Sequence, residues 1–584
     1  MVDKLLFNLK FIEILKENQR LENSFSGSKY KVAILANITI NQLKPIFELI
    51  LRQEGVNAEV EIGNYNNIVQ DSYSSDNNDA VIIFYDILNF FESNIFKLTS
   101  IDENELIAIE NRITNDIDII CKNLSKCSNV LFNSFDVSLI ANLSDSKSSF
   151  IDLVDRLNKY LIAKMPKNCF YVDTSFIIRK LGTLKSFSLS NFFLNKSLYS
   201  TEFLKEYAWE TYPLITSNNG KSKKVLILDC DNTLWGGIIG EDGIDGISLG
   251  ENSPKGSVYL SAHSLIKSIK DDGGLLAIVS KNNFSDVEHF FKNHKSTILK
   301  SDDFIEKQIN WKNKVQNIVD ISSKLNLGLE SFVFLDDSMY EINMVKESLP
   351  EVTCFHVPEN IFDYPRTLLE IKKLFYSPNT SSEDAKKTAY YLEESERKKS
   401  KSNFKDISDY LASLNLEITI NWGKEIDIPR ASQLTQKTNQ FNLTTKRLTE
   451  IEIETMSEDK DYLIAMISLK DKFGDYGKTG LSIINTNKQK SVAEIETFLL
   501  SCRILGRNVE FIFLDLIIKE IKRLGFSKVK SSYIPSQKNI QVADFYEKNS
   551  FRRIKNNTNG AYFQLNIDNY QNNNNTSFIK VHEK

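Results

Sequence analysis

Hydrophobic and polar positions alternate in two registers along most of the chain. Short runs rich in β-branched and aromatic residues, KVAILA (31–36), AEVEI (58–62), AVIIFY (80–85), NVLF (129–132) and FYV (170–172), are separated by stretches of helical period. Strands that are apolar on both faces belong to a parallel sheet covered by helices on each side, so residues 31–200 read as one α/β domain behind an amphipathic helical segment at 1–30. A mixed, polar stretch ends in the linker-like TSNNGKSKK. Then VLIL (225–228), LLAIV (275–279) and FVFL (332–335) predict three buried strands of a second α/β domain over 223–378. Val315, Ile318, Ile321 and Leu325 share one helical face just before the third of these.

The charged stretch 379–410 lacks Gly and Pro and reads as a solvated connecting helix. From 411 to 570 the order is strand (LEITI), helix (ASQLTQKT), three strands (YLIAMISL, GLSIIN, AEIETFLL), a long helix (VEFIFLDLIIKEIKRLG) and a last strand near AYFQLNI. The tail 571–584, with QNNNNTS, reads as disordered. The fold class is therefore α/β and multidomain, with a Rossmann-like core between an α/β and an α+β domain. A length of 584 residues fits three or four domains of about 150 residues.

Composition narrows the function. A net charge of -5 over 26% charged residues gives no field that would attract nucleic acid or an anionic membrane. Charges break every apolar run in the first twenty residues, which argues against a secretion signal, and no stretch approaches the ~20 apolar residues of a membrane span. Six cysteines without a C-x-x-C pair argue against zinc and disulfides and fit a reducing cytoplasm. With His263 the first of five histidines, the N-terminal domain holds no Ser-His-Asp triad of its own.

Each predicted central strand ends in polar groups: Asp229 and Asp231, then Ser280 and Lys281, then Asp336 and Asp337. Carboxyl ends of parallel strands converge, so these groups form one site. Four carboxylates in one crevice repel unless a divalent cation neutralises them, and hard oxygen ligands suit Mg²⁺. A carboxylate nucleophile, a second carboxyl, a hydroxyl, a lysine and Mg²⁺ are the parts that phosphoryl transfer requires.

D-x-D-N-T, a strand-end serine, a lysine before a helix and a final D-D, in that order, resemble the haloacid dehalogenase (HAD) superfamily. The longer match LDCDNTLWGGIIGEDG, with IVSKNN, INWKNK and FVFLDD, is similar to its FkbH-like branch, subfamily IIIC. The resemblance implies Asp229 as nucleophile, Asp231 as general acid/base, and Ser280 and Lys314 as phosphate-binding groups. It implies a Mg²⁺ site made by Asp229, the backbone carbonyl of Asp231, Asp336 and Asp337. Lys312 competes with Lys314, which holds the family's position before the helix. D-D-S-M-Y-E departs from the family's D-D-N-P and leaves the shape of that loop open. Only about fifty residues separate the first motif from Ser280, too few for a large cap, so the crevice is either open or roofed by a neighbouring domain. Trp235, Gly236 and Gly237 are either a small flap or a buried Trp beside a tight turn.

The activity this resemblance implies is removal of phosphate from a 1,3-bisphosphoglycerate-like acyl phosphate. The three-carbon acyl unit is then loaded onto an acyl carrier protein, in polyketide or surface-glycan biosynthesis. The alternative is a small-molecule phosphatase fused to a CoA-dependent N-acyltransferase; a binding scaffold is a third reading. Cys230 is either a packed core thiol, since its side chain alternates with those of its neighbours, or an acyl-carrying thiol.

The N-terminal domain resembles the SGNH-hydrolase-like module of long family members through LANITINQLKPIFELILRQEGVNAEVEIGNY, with Asn37 where a catalytic serine segment is expected; it reads as a docking or substrate-shaping module. At the other end, SCRILGRNVEF with NIQVADFYEKNSF resembles a GNAT-type acyltransferase. Its CoA-binding R-x-x-G-x-G/A loop would fall on Arg503, Gly506, Arg507 and Asn508, with Asn508 in place of the last small residue. The loop would take CoA or a carrier's phosphopantetheine; the bland alternative pairs Arg507 with Glu510.

Overall fold

The computed structural model describes residues 6–25, 29–91, 102–139, 149–218, 222–376, 404, 406–487, 492–536, 538–557, 560–571 and 576–583. Its contacts divide the chain into two compact units, Met1–Ser217 and Asn218–Lys584. No described helix is long and apolar enough to cross a membrane.

The first unit is built on five parallel strands, β1 (Tyr30–Ala36), β2 (Ala58–Ile62), β3 (Ala80–Phe84), β4 (Val130–Asn133) and β5 (Cys169–Val172), in the order β2-β1-β3-β4-β5. All five expected strands are present, and β3 and β4 are buried along their whole length, as strands covered on both faces must be. The unit extends past residue 200. Helix Thr201–Asn218 lays Phe203 and Tyr207 into its core; of the linker-like TSNNGKSKK, residues 219–221 lie outside the described residues. The amphipathic N-terminal helix is also part of the unit: it spans Phe11–Glu22, and Lys205 Nζ donates to Leu9 O at 2.7 Å.

In the second unit, β6 (Val225–Leu228), β7 (Leu275–Ser280), β8 (Phe304–Ile309), β9 (Phe332–Asp336) and β10 (Thr353–His356) form an all-parallel sheet in the order β10-β9-β6-β7-β8. The three strands expected from the sequence are its centre. The two that it hid, β8 and β10, are its edges, where FIEKQI and TCFH are only partly buried and carry no continuous apolar signal. Helix Pro254–Asp271 carries His263, fully buried, its Nε2 2.8 Å from Leu234 O.

Burial pushes the His263 imidazole down to about 4. The folded state then favours the neutral ring, while the unfolded chain takes up a proton as pH falls through about 6.5. Stability is therefore full above that value and declines by about 3 kcal/mol as pH falls toward 4. Urea midpoints measured at pH 7 and pH 4.5 should differ less in His263→Gln than in the wild type.

The remainder is an α+β domain on an eight-stranded mixed sheet, β16-β17-β15-β14-β13-β12-β11-β18. The strands are β11 (Glu417–Trp422), β12 (Tyr462–Asp471), β13 (Gly474–Asn485), β14 (Ala493–Leu500), β15 (Lys528–Tyr533), β16 (Arg552–Asn557), β17 (Gly560–Asn566) and β18 (Lys580–Glu583). β14 and β15 are parallel but pair only from Ala493↔Val529 to Ile495↔Ser531. β14 runs on to Leu500 paired with β13, so β14 and β15 part beside the loop that enters helix Val509–Arg523. The tail expected to be disordered ends instead in β18, a polar edge strand whose ladder with β11 runs from Glu417↔Lys580 to Ile420↔Glu583. Most of the connecting helix expected at 379–410 lies outside the described residues; Ile407–Ser413 is helical.

Candidate active site

β6, β7 and β9 are neighbours and parallel, so their carboxyl ends deliver Asp229, Ser280 and Asp336 to one pole of the sheet. Helix Lys314–Leu325, capped by the Asn313 side chain on Val315 N at 2.8 Å, starts there and aims its first residue inward. Lys314 Nζ donates to Asp229 Oδ1 at 2.8 Å and to Asp336 Oδ2 at 2.6 Å, and all three side chains are buried. Lys312, the competing lysine, is exposed.

Asp229, Asp336 and Asp337 each offer an oxygen within 4.8 Å of the others. Burial pushes Asp336 up to about 7; the charge of Asp229 adds to the rise and Lys314 opposes it. Asp337 is raised by the same two causes, burial first and then Asp229. Burial opposes the charge of Lys314, but the two carboxylates outweigh it and raise its affinity for the proton. Three carboxylates around one ammonium leave an acidic excess in a nearly dry pocket, which is the condition a divalent cation relieves.

Asp231 is not in this cluster. Its Oδ1 accepts from Trp235 Nε1 at 2.9 Å and Ile239 N at 3.0 Å, and its Oδ2 accepts from Asn282 Nδ2 at 2.9 Å. Asn282 also donates to Ser280 Oγ at 3.2 Å, linking the Asp231 carboxyl to the Ser280 hydroxyl. Trp235 is fully buried, 4.2 Å from the Phe290 ring centroid, which decides against the flap: the indole is a fixed tether for Asp231. Gly236 exchanges backbone bonds with Ser248, and a Cβ there would sit 2.7 Å from the Tyr259 ring, so the turn is closed as well as tight. In the altered D-D-S-M-Y-E loop, Ser338 N donates to Asp336 Oδ1 at 2.9 Å and Ser338 caps helix Met339–Ser348. The sequence offers Trp235 as a flap or a buried ring but not as a partner of Asp231, and it gives no role to Asn282 or Ser338.

Cys230 is fully buried in the apolar cluster with Leu228, Leu234 and Trp235, and burial raises its thiol well above the ordinary range. That is the packed alternative. Cys230→Ala is expected to lower stability by about 1 kcal/mol while sparing phosphate release. A mass-detected acyl adduct on the Cys230 peptide would contradict this.

In the first unit the strand-end polar groups hold each other. Asn37 Nδ2 donates to Asp86 O at 2.7 Å and Asn37 Oδ1 accepts from Asp86 N at 2.8 Å, while Asp86 Oδ2 accepts from Tyr199 OH at 2.8 Å. Burial pushes Asp86 up to about 6 against that bond. In the C-terminal loop, Gly506 (φ 76°) and Asn508 (φ 61°) both adopt left-handed backbone. Asn is among the few non-glycine residues that do so readily, so Asn508 keeps the turn that a small residue would make. Arg503 Nε donates to Ser501 Oγ at 3.2 Å. Arg507 is buried; it donates to Arg503 O at 2.7 Å and lies over the Tyr476 ring at 5.0 Å. Burial raises the Glu510 carboxyl, and the charge of Arg507 acts on it to oppose that rise.

Among solved structures, the chain is similar to the N-terminal part of a Bacteroides fragilis protein that contains a phosphatase domain, complexed with Mg. That match has 27% identity and a TM-score of 0.56, and covers 63% of this chain and 99% of that one. Shorter matches include the ribosomal-protein-S18-alanine N-acetyltransferase from Escherichia coli, with 15% identity and a TM-score of 0.21 over 27% of this chain and 98% of that one. An N-acetyltransferase from Staphylococcus aureus matches with 13% identity and a TM-score of 0.20 over 26% of this chain and 98% of that one. No protein-family model matches the chain, and no curated protein does.

Proposed function

We propose that the central domain is a Mg²⁺-dependent HAD-type enzyme that takes phosphate from a three-carbon acyl phosphate and passes the acyl unit to the thiol of an acyl carrier protein. The observation that carries this reading is the bridging of Asp229 and Asp336 by Lys314, with Asp337 beside them. Asp229, Asp336 and Asp337 would hold the cation, which supplies charge neutralisation where the phosphate oxygens lie. The Mg-complexed Bacteroides fragilis neighbour supports the phosphatase part.

Lys314 and Ser280 bind phosphate oxygens, and Asp231, steadied by its three donors, exchanges the proton. Two bonds of an acyl phosphate can break here. If Asp229 attacks phosphorus, the P–O bond breaks, the acyl group leaves as free carboxylate, and water then releases phosphate from the aspartyl group. If a thiol attacks the acyl carbon, the C–O bond breaks, phosphate leaves with the bonding pair, and the thiol proton passes to Asp231. The complete burial of Cys230 supports the carrier's phosphopantetheine as the accepting thiol. Intact-protein mass spectrometry of a holo-carrier incubated with the enzyme, Mg²⁺ and 1,3-bisphosphoglycerate decides between the two. A glyceryl mass increase supports transfer; phosphate release without it leaves a phosphatase. The first unit would act in docking or in shaping the substrate, in the cytoplasm.

A second reading, phosphatase fused to a CoA-dependent N-acyltransferase, is favoured by the parting of β14 from β15 beside the Gly506–Asn508 turn. Backbone N–H groups entering a helix suit pyrophosphate oxygens. Arg503→Ala with Arg507→Ala is then expected to weaken CoA binding at least tenfold in a titration while small-ester hydrolysis at Asp229 persists. Equal loss of both would assign the arginines to the fold.

A further inference from the structure

Lys314, Asp231 and Ser280 surround the place proposed for the phosphate, and each is set by different partners. Lys314 is held by Asp229 and Asp336. Asp231 Oδ1 is held by Trp235 Nε1 and Ile239 N. A single nitrogen then reaches both the other Asp231 oxygen and the serine hydroxyl: Asn282 Nδ2 lies 2.9 Å from Asp231 Oδ2 and 3.2 Å from Ser280 Oγ. Asn282 is 6% exposed and sits in the short link between β7, which ends at Ser280, and helix Phe284–Asn293. Asn310 N donates to Ser280 O at 3.1 Å, so the neighbouring β8 fixes where that link leaves the sheet. The residues on either side of Asn282 are engaged elsewhere. Lys281 pairs with Glu341 at 2.6 Å, and Asn283 Oδ1 accepts from Trp311 Nε1 at 3.4 Å.

The number of protons needed here selects an amide. A carboxylate only accepts, a hydroxyl has one proton to give, and a lysine or arginine would add a positive charge close to Lys314; an amide NH₂ gives one proton to each of two acceptors. The same partners fix which way the amide faces, because turned over it would set its oxygen against a carboxylate oxygen. Two consequences follow for the site. With one lone pair of Ser280 Oγ filled by Asn282, the hydroxyl proton is left to give to an incoming acceptor such as a phosphate oxygen. The Asp231 carboxyl is gripped on both of its oxygens, and the grip on Oδ2 comes from the residue that also orients the hydroxyl.

We propose that Asn282 is a positioning residue that sets the Ser280 hydroxyl for phosphate and the Asp231 carboxyl for proton transfer at once; the proposal rests on the HAD-type reading above. The test is a double-mutant cycle in the full chain with Mg²⁺, using p-nitrophenyl phosphate and acetyl phosphate as substrates and inorganic phosphate as competing ligand. Asn282→Asp keeps the shape of the side chain and removes both donated bonds, and Asn282→Ala makes the same point without adding a charge. Each should lower kcat by about tenfold or more and weaken inhibition by inorganic phosphate by about fivefold, with a thermal midpoint near wild type in Asn282→Ala. When Ser280→Ala is already present, adding Asn282→Ala should leave phosphate inhibition within about twofold, since its route to the phosphate has gone, yet still lower kcat through Asp231. Wild-type kcat and phosphate inhibition in Asn282→Ala overturn the positioning role and leave the HAD-type reading standing. So does a loss of phosphate inhibition of the same size with and without Ser280, which assigns Asn282 to the fold. A wild type that hydrolyses neither substrate removes both.

Discussion

Asp229→Asn is expected to abolish phosphate release from p-nitrophenyl phosphate or an acyl phosphate, by about 10⁴-fold or more. The amide oxygen keeps the bond from Lys314, and the substitution removes one of three mutually repelling carboxylates, so the fold is not put at risk. What disappears is a carboxylate able to take a phosphoryl group. Circular dichroism and thermal midpoint should stay near wild type while the rate collapses. A variant that retains most of its activity would remove Asp229 from the chemistry and the HAD-type assignment with it.

Chelation should have an effect of the same order. Asp229, Asp336 and Asp337 carry up to three negative charges against the single ammonium of Lys314, and a phosphate entering this pocket brings further negative charge. Without a cation, entry is opposed by like charge in a medium that screens poorly. EDTA-treated enzyme should lose turnover and regain it on addition of Mg²⁺. Asp336→Ala should raise the Mg²⁺ needed for half-maximal rate at least tenfold or leave no rate to measure. Full activity in the chelated enzyme would break the argument from charge balance.

The core of this site was readable from sequence because its carriers obey a positional rule. Asp229, Ser280 and Asp336 each close an uninterrupted apolar run, and apolar runs in a covered parallel sheet are the strands that pack at its centre. The edges obey no such rule. β8 carries Glu306, Lys307 and Gln308 in a row, half-buried on both faces, and β18 offers Val581 alone among polar residues, so neither strand shows a continuous apolar signal and both are held largely by their ladders. Side-chain direction was equally hidden. Nothing in D-C-D-N-T states that Asp231 turns away from Asp229 toward Trp235 and Asn282, because that choice is made by a turn and by a residue fifty-one positions later. The substitution of Asn508 in the C-terminal loop looked like a departure in letters and is none in backbone angle.

The tether between Trp235 and Asp231 also gives the crevice its own optical reporter. Of the chain's four tryptophans, Trp235 is sealed in a dry pocket with its indole N–H held by a carboxylate, whereas Trp311 stands in water on the rim. The first should emit at short wavelength and the second at long wavelength. Trp209 is buried as well and Trp422 half-buried, so once both are replaced by Phe a ligand that draws Asp231 toward itself would register in the blue part of the spectrum and a change at the rim in the red.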